Sequence, residues 1–212
     1  MDIKLHTEVI REVISTLNAH HGSNIHVLKG GTALMVCYAL DRVSVDIDLD
    51  CESSSARTLF SQLSEFCVER NYQIRFAKDT DTVQRAFINY GDPGAPLKVE
   101  ASYRRKAIPA DEITSVNGIK VYTINALCQM KAAAFLARDK MRDLYDLTFI
   151  HLLHESSLDI ASMKAIRNAL EYKGLEQFDY LMATQDDDLI DKDLLMTRVL
   201  QSYEKVGLAA PK

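Results

Sequence analysis

The chain has 212 residues and only four cysteines, Cys37, Cys51, Cys67 and Cys128, which show neither Cys-x-x-Cys spacing nor a framework of pairs. A disulfide-stapled scaffold is excluded, and a reducing compartment is expected. No apolar run approaches the roughly 20 residues of a membrane span, and the opening MDIKLHTEVI carries acidic residues and no apolar signal core. The protein should therefore be soluble and cytoplasmic, with no membrane partner. Excess positive charge is also missing: the formal net charge is −5 at pH 7, which argues against gripping nucleic acid by phosphate contacts alone. Basic residues gather locally at Arg104-Arg105-Lys106 and across Arg138, Lys140 and Arg142, while Asp186-Asp187-Asp188, Asp191 and Asp193 load acid into the C-terminal part. A local patch can still guide an RNA end. His151 and His154 have no further cysteine or histidine nearby, so zinc ligation is not expected. Internal repeats and low-complexity linkers are absent as well.

What remains is a chain with 47% hydrophobic and 26% charged residues, enough to bury a full core. A helix over Thr7 to Ala19 should lead into a strand (Ile25 to Leu28), a turn, a helix (Thr32 to Leu40) and an acidic strand (Val43 to Asp50). A helix over Ser54 to Arg70 and strands near Tyr72 to Ala77, Thr82 to Tyr90 and Leu97 to Tyr103 should follow, the last two joined across Gly91-Asp92-Pro93-Gly94-Ala95-Pro96. A short strand at Ile119 to Tyr122 precedes helical sequence over Thr123 to Ala137, Asp143 to His154, Asp159 to Tyr172, Leu175 to Ala183 and Leu189 to Val206. The expected class is α+β, a mixed sheet flanked by helices with a helical C-terminal bundle. The division falls into a sheet domain over 1–122 and a helical domain over 123–212.

The acidic strand is the most informative segment. From Val43 to Asp50 the alternation is unbroken, with Val43, Val45, Ile47 and Leu49 on one face and Ser44, Asp46, Asp48 and Asp50 on the other. Asp46 and Asp48 therefore project side by side. Two adjacent carboxylates repel unless a cation sits between them, and hard oxygen donors suit Mg²⁺ or Mn²⁺. The same alternation also serves an edge strand whose acidic face meets water. A calcium loop is excluded, because the positions that would require glycine and glutamate hold Cys51 and Arg57.

Just upstream, Lys29-Gly30-Gly31-Thr32 lies where strand gives way to helix. Glycine there permits backbone angles closed to other residues and lets a ligand approach the chain. The amide groups opening the next helix, at its positive dipole end, suit a triphosphate. Thr32 can cap that helix or bond a phosphate oxygen. Gly-Gly is also, more simply, a turn.

The conjunction Gly30-Gly31-Thr32 followed by Arg42-x-Ser44-x-Asp46-x-Asp48 resembles the signature of the polymerase-beta-like nucleotidyltransferases, specifically the AbiEii/AbiGii toxin family. The likeness extends to Lys98-Val99-Glu100, where many relatives place aspartate at Glu100. It continues to Lys131 and to the run from Arg138 to Leu147, which contains Asp146. On an unbroken helix Lys131, Arg138 and Arg142 would share a face, with Asp146 beside it. The ordinary alternative is that Asp139/Asp143 and Arg138/Arg142 are solvated, helix-stabilising charges.

The resemblance implies a catalytic set of Asp46, Asp48, Glu100, Lys131 and Asp146. Metal would be held by Asp46, Asp48 and Glu100. Nucleotide would be bound by Gly30, Gly31, Thr32, Arg42, Ser44 and Lys131. It further implies a Mg²⁺- or Mn²⁺-dependent, pyrophosphate-releasing transfer of a nucleoside monophosphate from a nucleoside triphosphate to an acceptor hydroxyl, with a tRNA 3′ end as acceptor. A toxin-antitoxin or phage-defence role, with a separately encoded antitoxin, is implied too. Alternatives are modification of a small hydroxylated molecule such as an aminoglycoside, or a catalytically silent module that binds nucleotide or a partner.

Overall fold

A computed structural model describes residues 1–19, 26–91 and 94–208. Two compact units divide it, Met1–Tyr122 and Thr123–Lys212. Among the described residues no helix is long and apolar enough to cross a membrane.

Unit 1 comprises α1 (Ile3–Ala19), β1 (Val27–Lys29), α2 (Gly30–Cys37), β2 (Asp46–Glu52), α3 (Leu59–Glu69), β3 (Gln73–Thr80), β4 (Val83–Asn89), β5 (Leu97–Arg105), β6 (Ile113–Val116) and β7 (Ile119–Tyr122). Its strands form one seven-stranded sheet in the order β3-β4-β5-β2-β1-β7-β6. The β2/β5 and β1/β7 pairs are parallel and the others antiparallel, so the sheet is mixed as expected. Period-two alternation separates its faces. Ile47 and Leu49 are buried and stand opposite Val99 and Ala101, which continue through Ala86 and Gln84 on β4. Burying such an aliphatic side chain stabilises by roughly 2 kcal/mol. Helix α1 contributes Val9, Ile10, Val13, Ile14 and Leu17 at helical spacing, and α3 contributes Leu59, Leu63 and Phe66. The β6/β7 hairpin turns through Asn117 and Gly118, both at positive φ (50° and 80°), the conformation an Asn-Gly hairpin turn favours.

Several local expectations shift. Strand β2 starts at Asp46, because Arg42 and Ser44 are drawn inward and buried instead of continuing the polar face. Helix α2 starts at Gly30, two residues before the expected Thr32. Helix α3 starts only at Leu59, with Ser53 to Ser55 in a turn. Strand β6 carries no apolar run long enough to have been legible. Ile25 of the expected first strand, and Asp92 and Pro93 of the turn before β5, lie outside the described residues.

Unit 2 comprises α4 (Ile124–Ala137), α5 (Met141–Leu153), α6 (Ile160–Thr184) and α7 (Lys192–Lys205). Three helices start on side-chain caps: Thr123 accepts from the Ala126 N–H at 3.3 Å, Asp159 from Ser162 at 2.7 Å and Asp191 from Leu194 at 2.9 Å. The two helices expected before and after Gly174 run together as α6, with Gly174 at φ 67° marking the kink between them. An unbroken helix from Lys131 to Asp146 does not form. Arg138 and Lys140 are extended (φ −149° and −118°), separating α4 from α5.

Candidate active site

In unit 1 the turn and the acidic strand come together because β1 and β2 are antiparallel neighbours, with Lys29 opposite Asp48. Gly30 sits at φ 75°, a left-handed conformation that favours glycine, and a Cβ built on it would lie 3.5 Å from Asp48 Oδ2. At Gly31 a Cβ would meet Ser44 Oγ at 2.8 Å and Arg42 Nη2 at 2.9 Å. The two glycines thus do different work: Gly30 permits the turn, and Gly31 makes room for Arg42 and Ser44 to pack beneath it. Arg42 Nη1 donates to its neighbour Val43's carbonyl at 2.9 Å.

Thr32 departs from expectation. It is buried, and its hydroxyl bonds Ser44 Oγ at 2.9 Å and the Asp46 carbonyl, so it ties the turn to the start of β2. It caps nothing: α2 begins at an extended Lys29 with no side-chain cap. The opening amides of this helix carry the positive dipole end toward any anion at the turn.

The carboxylates are set by register. Asp46 stands opposite Lys98 and Asp48 opposite Glu100 on the parallel strand β5. Lys98 Nζ donates to Asp46 Oδ2 at 2.8 Å and lies 3.7 Å from Asp48 Oδ1, and Arg85 Nε donates to Glu100 Oε2 at 2.6 Å. Burial pushes the Asp48 carboxyl above the usual carboxylate range, and although Lys98 lowers it, the nearby charges of Asp46 and Glu100 add to the rise. Lys98 is raised in turn, because its bond to Asp46 and the surrounding carboxylates outweigh the effect of burial. Asp50, third in the acidic alternation, is buried and taken up internally by Lys29 Nζ at 2.5 Å and by the Tyr122 hydroxyl at 2.9 Å.

Among the described residues, no three histidine, cysteine, aspartate or glutamate side chains converge as a metal-binding group. Each of the three carboxylates named from sequence turns instead to a cationic side chain. The donor set nonetheless suits a divalent ion. Asp46, Asp48 and Glu100 are hard oxygen donors on adjacent strands, and the ammonium of Lys98 already stands at the point where their charges demand a cation.

In unit 2 the expected face of three cations does not exist, since the break at Arg138 to Lys140 redirects each one. Lys131 Nζ lies 2.7 Å from Asp146 Oδ2 and 3.2 Å from Asp143 Oδ1. Arg138 Nε donates to Asp143 Oδ2 at 2.7 Å, and Arg142 forks onto Asp187, with Nη2 to Oδ1 at 3.0 Å. Asp143 is no solvated surface charge: it is 1% exposed and Asp146 is 0% exposed. Burial alone would raise the Asp143 carboxyl, but Arg138 and Lys131 outweigh it and hold the group below its ordinary range. Asp139 is exposed but sits in the break between α4 and α5 and not on a helix, paired with Lys173 at 2.8 Å. His151 is fully buried, its ring nitrogens have no hydrogen-bond partner among the described residues, and burial lowers its pKa.

The profile described as nucleotidyl transferase AbiEii toxin, type IV toxin-antitoxin system, matches residues 14–206. The chain belongs to the AbiEii family. The fold of this AbiEii member is shared by JHP933 from Helicobacter pylori, with a TM-score of 0.76 at 25% identity over 97% of this chain and 93% of that one. It is also shared by an H. pylori protein described as a candidate nucleotidyltransferase, with a TM-score of 0.74 at 24% identity over 98% and 97%. No curated protein matches at a significant level.

Proposed function

We propose that this AbiEii member is a metal-dependent nucleotidyltransferase that moves a nucleoside monophosphate from a nucleoside triphosphate to an acceptor hydroxyl, the 3′ end of a tRNA. It would act as the toxin of a toxin-antitoxin pair, held in check by a separate antitoxin. The observation that carries this reading is the proximity of a glycine turn to a carboxylate set, Gly30 lying within a few ångströms of Asp48.

In this reading the backbone of Gly30 and Gly31 and the first turn of α2 receive the triphosphate, while Thr32, Ser44 and Arg42 brace that turn from below. Asp46 and Asp48 would hold the metal, with Glu100, opposite Asp48 on β5, to share it or to accept the proton of the attacking hydroxyl. Mg²⁺ or Mn²⁺, when bound, neutralises the phosphates and acidifies the attacking hydroxyl. The acceptor oxygen bonds to the α-phosphorus as the bond from that phosphorus to the bridging oxygen breaks, and pyrophosphate leaves. Lys131 and Asp146, implicated by the family resemblance, pair with each other inside unit 2, Asp146 holding the ammonium at 2.7 Å.

The test is incubation of the purified full chain with each α-labelled nucleoside triphosphate, Mg²⁺ and total RNA. Label in the tRNA band is the expected result. Label that appears only on an added aminoglycoside would replace the acceptor, and nucleotide binding with no transfer under any condition would reduce the protein to a binding module.

A further inference from the structure

The sheet of unit 1 has a second asset on the face that presents the carboxylates. Cross-strand register aligns Arg75 of β3, Phe87 of β4, Lys98 of β5 and Asp46 of β2 in one row across four adjacent strands. A second row places Lys78, Arg85, Glu100 and Asp48 beside it. The register shift between Phe76 and Lys78 is what keeps Lys78 on this face, since it adds one residue to β3 and restores the alternation. The opposite face of β3 and β4 carries Phe76, stacked on Phe60 of α3 with ring centroids 4.3 Å apart, and buried Ala86 and Ile88. Helix α3 therefore covers one side while the row of cations occupies the other.

Across β3 to β5 this face holds four cations, Arg75, Lys78, Arg85 and Lys98, against one carboxylate, Glu100. Arg85 and Lys98 are held by carboxylates on the inner strands, at 2.6 Å from Glu100 and 2.8 Å from Asp46. Arg75 and Lys78, on the edge strand, are exposed. Arg75 is not loose: its guanidinium lies over the half-buried Phe87 ring, 4.6 Å from the centroid. A guanidinium held over an aromatic ring can stack on a nucleobase or bond a phosphate. Three strand spacings, about 14 Å, separate Arg75 from Asp46, a distance spanned by roughly five stacked nucleotides at about 3.4 Å per step. With Arg85 and Lys98 answering the carboxylates, the exposed Arg75 and Lys78 on the edge strand are what this face offers to an incoming anion.

We infer that the open face of β3, β4 and β5 is the acceptor track. A single-stranded polynucleotide end lies along it, a base or phosphate seated on the Arg75/Phe87 platform and backbone phosphates near Lys78 and Arg85, so that its terminal hydroxyl reaches Asp46 and Asp48. The inference rests on the nucleotidyltransferase reading and names the surface that presents the acceptor. A single strand fits better than a duplex, because stacking on Arg75 needs an unpaired base face.

The experiment is a fluorescence-anisotropy titration of the full chain with a 5′-labelled single-stranded 12-mer RNA, without nucleotide or metal. Arg75→Ala and Phe87→Ala are each expected to weaken binding about 5- to 10-fold, within the range of one stacking contact. Arg75→Ala/Lys78→Ala should also flatten the dependence of log affinity on log salt by roughly one unit. Circular dichroism melts confirm that the variants are folded. Wild-type affinity in folded Arg75→Ala/Lys78→Ala/Phe87→Ala, or equal affinity for a blunt RNA duplex, overturns the track, as does an absence of RNA binding by the wild-type chain. Because this readout involves no transfer chemistry, loss of RNA binding in the variants upholds the track even if the labelled-transfer assay fails. Transfer with unchanged RNA affinity sinks the track alone.

Discussion

Asp46 and Asp48 in unit 1 and Asp143 and Asp146 in unit 2 are each a pair of aspartates answered by a lysine, yet the fold treats them differently. Lys98 reaches Asp46 and Asp48 at 2.8 and 3.7 Å, and the Asp48 carboxyl still ends above its usual range. Lys131 reaches Asp146 and Asp143 at 2.7 and 3.2 Å, and with Arg138 helping, the Asp143 carboxyl ends below it. In the first pair burial and the neighbouring carboxylates leave Asp48 short of positive charge. The second is satisfied from within. Strained electrostatics are characteristic of sites that await a ligand, whereas satisfied buried pairs hold structure together.

The sharpest way to break this contrast is Asp48→Asn. Transfer should fall by about a thousandfold or more, equivalent to roughly 4 kcal/mol of barrier, while thermal stability at pH 7 should not fall. The sign follows from the raised carboxyl. Ionising Asp48 in the folded chain costs stability as pH climbs above the ordinary carboxylate value, so asparagine relieves that cost at pH 7 and loses the advantage below about pH 4. Melts at both pH values check it, and a marked loss of stability at pH 7 would erase the distinction between the pairs.

Asp146→Ala should act in the opposite way. Leaving Lys131 buried with one partner fewer is expected to cost about 3 kcal/mol in a urea titration. A variant as stable as wild type would mean that unit 2 does not depend on its internal pair. Gly31→Ala should have a smaller effect, about 1–2 kcal/mol, as Ser44 and Arg42 give way to a Cβ at 2.8 and 2.9 Å. Nucleotide binding, followed by fluorescence of a labelled analogue, should weaken about tenfold. The subtlest effect is in acid. A lowered carboxyl contributes stability that is present above its unfolded value, near pH 4, and is lost as pH falls through the folded one. The gap between wild type and Asp143→Asn, read by the helical circular dichroism signal, should be widest near neutrality and close below about pH 4.

Legibility followed the range of the interactions. The adjacency of Asp46 and Asp48 needs only a period of two, and the seat of the turn needs only two glycines between a strand and a helix. The mixed sheet, the helical C-terminal part and the family were legible for the same reason. The engagement of Glu100 with Arg85, and of Lys98 with both aspartates, depends on β2 pairing in parallel with β5, a long-range register that no local pattern announces. Ser44 looked like part of a polar face because alternation was carried past the point where β2 starts. It is buried because Gly31 leaves room for it. The helix break after Ala137 was legible as the gap between the helices expected over Thr123 to Ala137 and Asp143 to His154, but its consequence was not. It made Asp143 a buried partner of Lys131 instead of a surface charge.

The parallel pairing of β2 with β5 has a bearing on how the protein is made. Strands β1, β2 and the glycine turn leave the ribosome early, but β5 follows only after α3, β3 and β4. Non-local strand pairing is slow to form, and a nascent chain cannot complete a site whose last strand has not been synthesised. Every polypeptide cut short before Leu97 therefore lacks Lys98 and Glu100, and the carboxylate set shared by β2 and β5 is assembled only once nearly half the chain has been translated and paired.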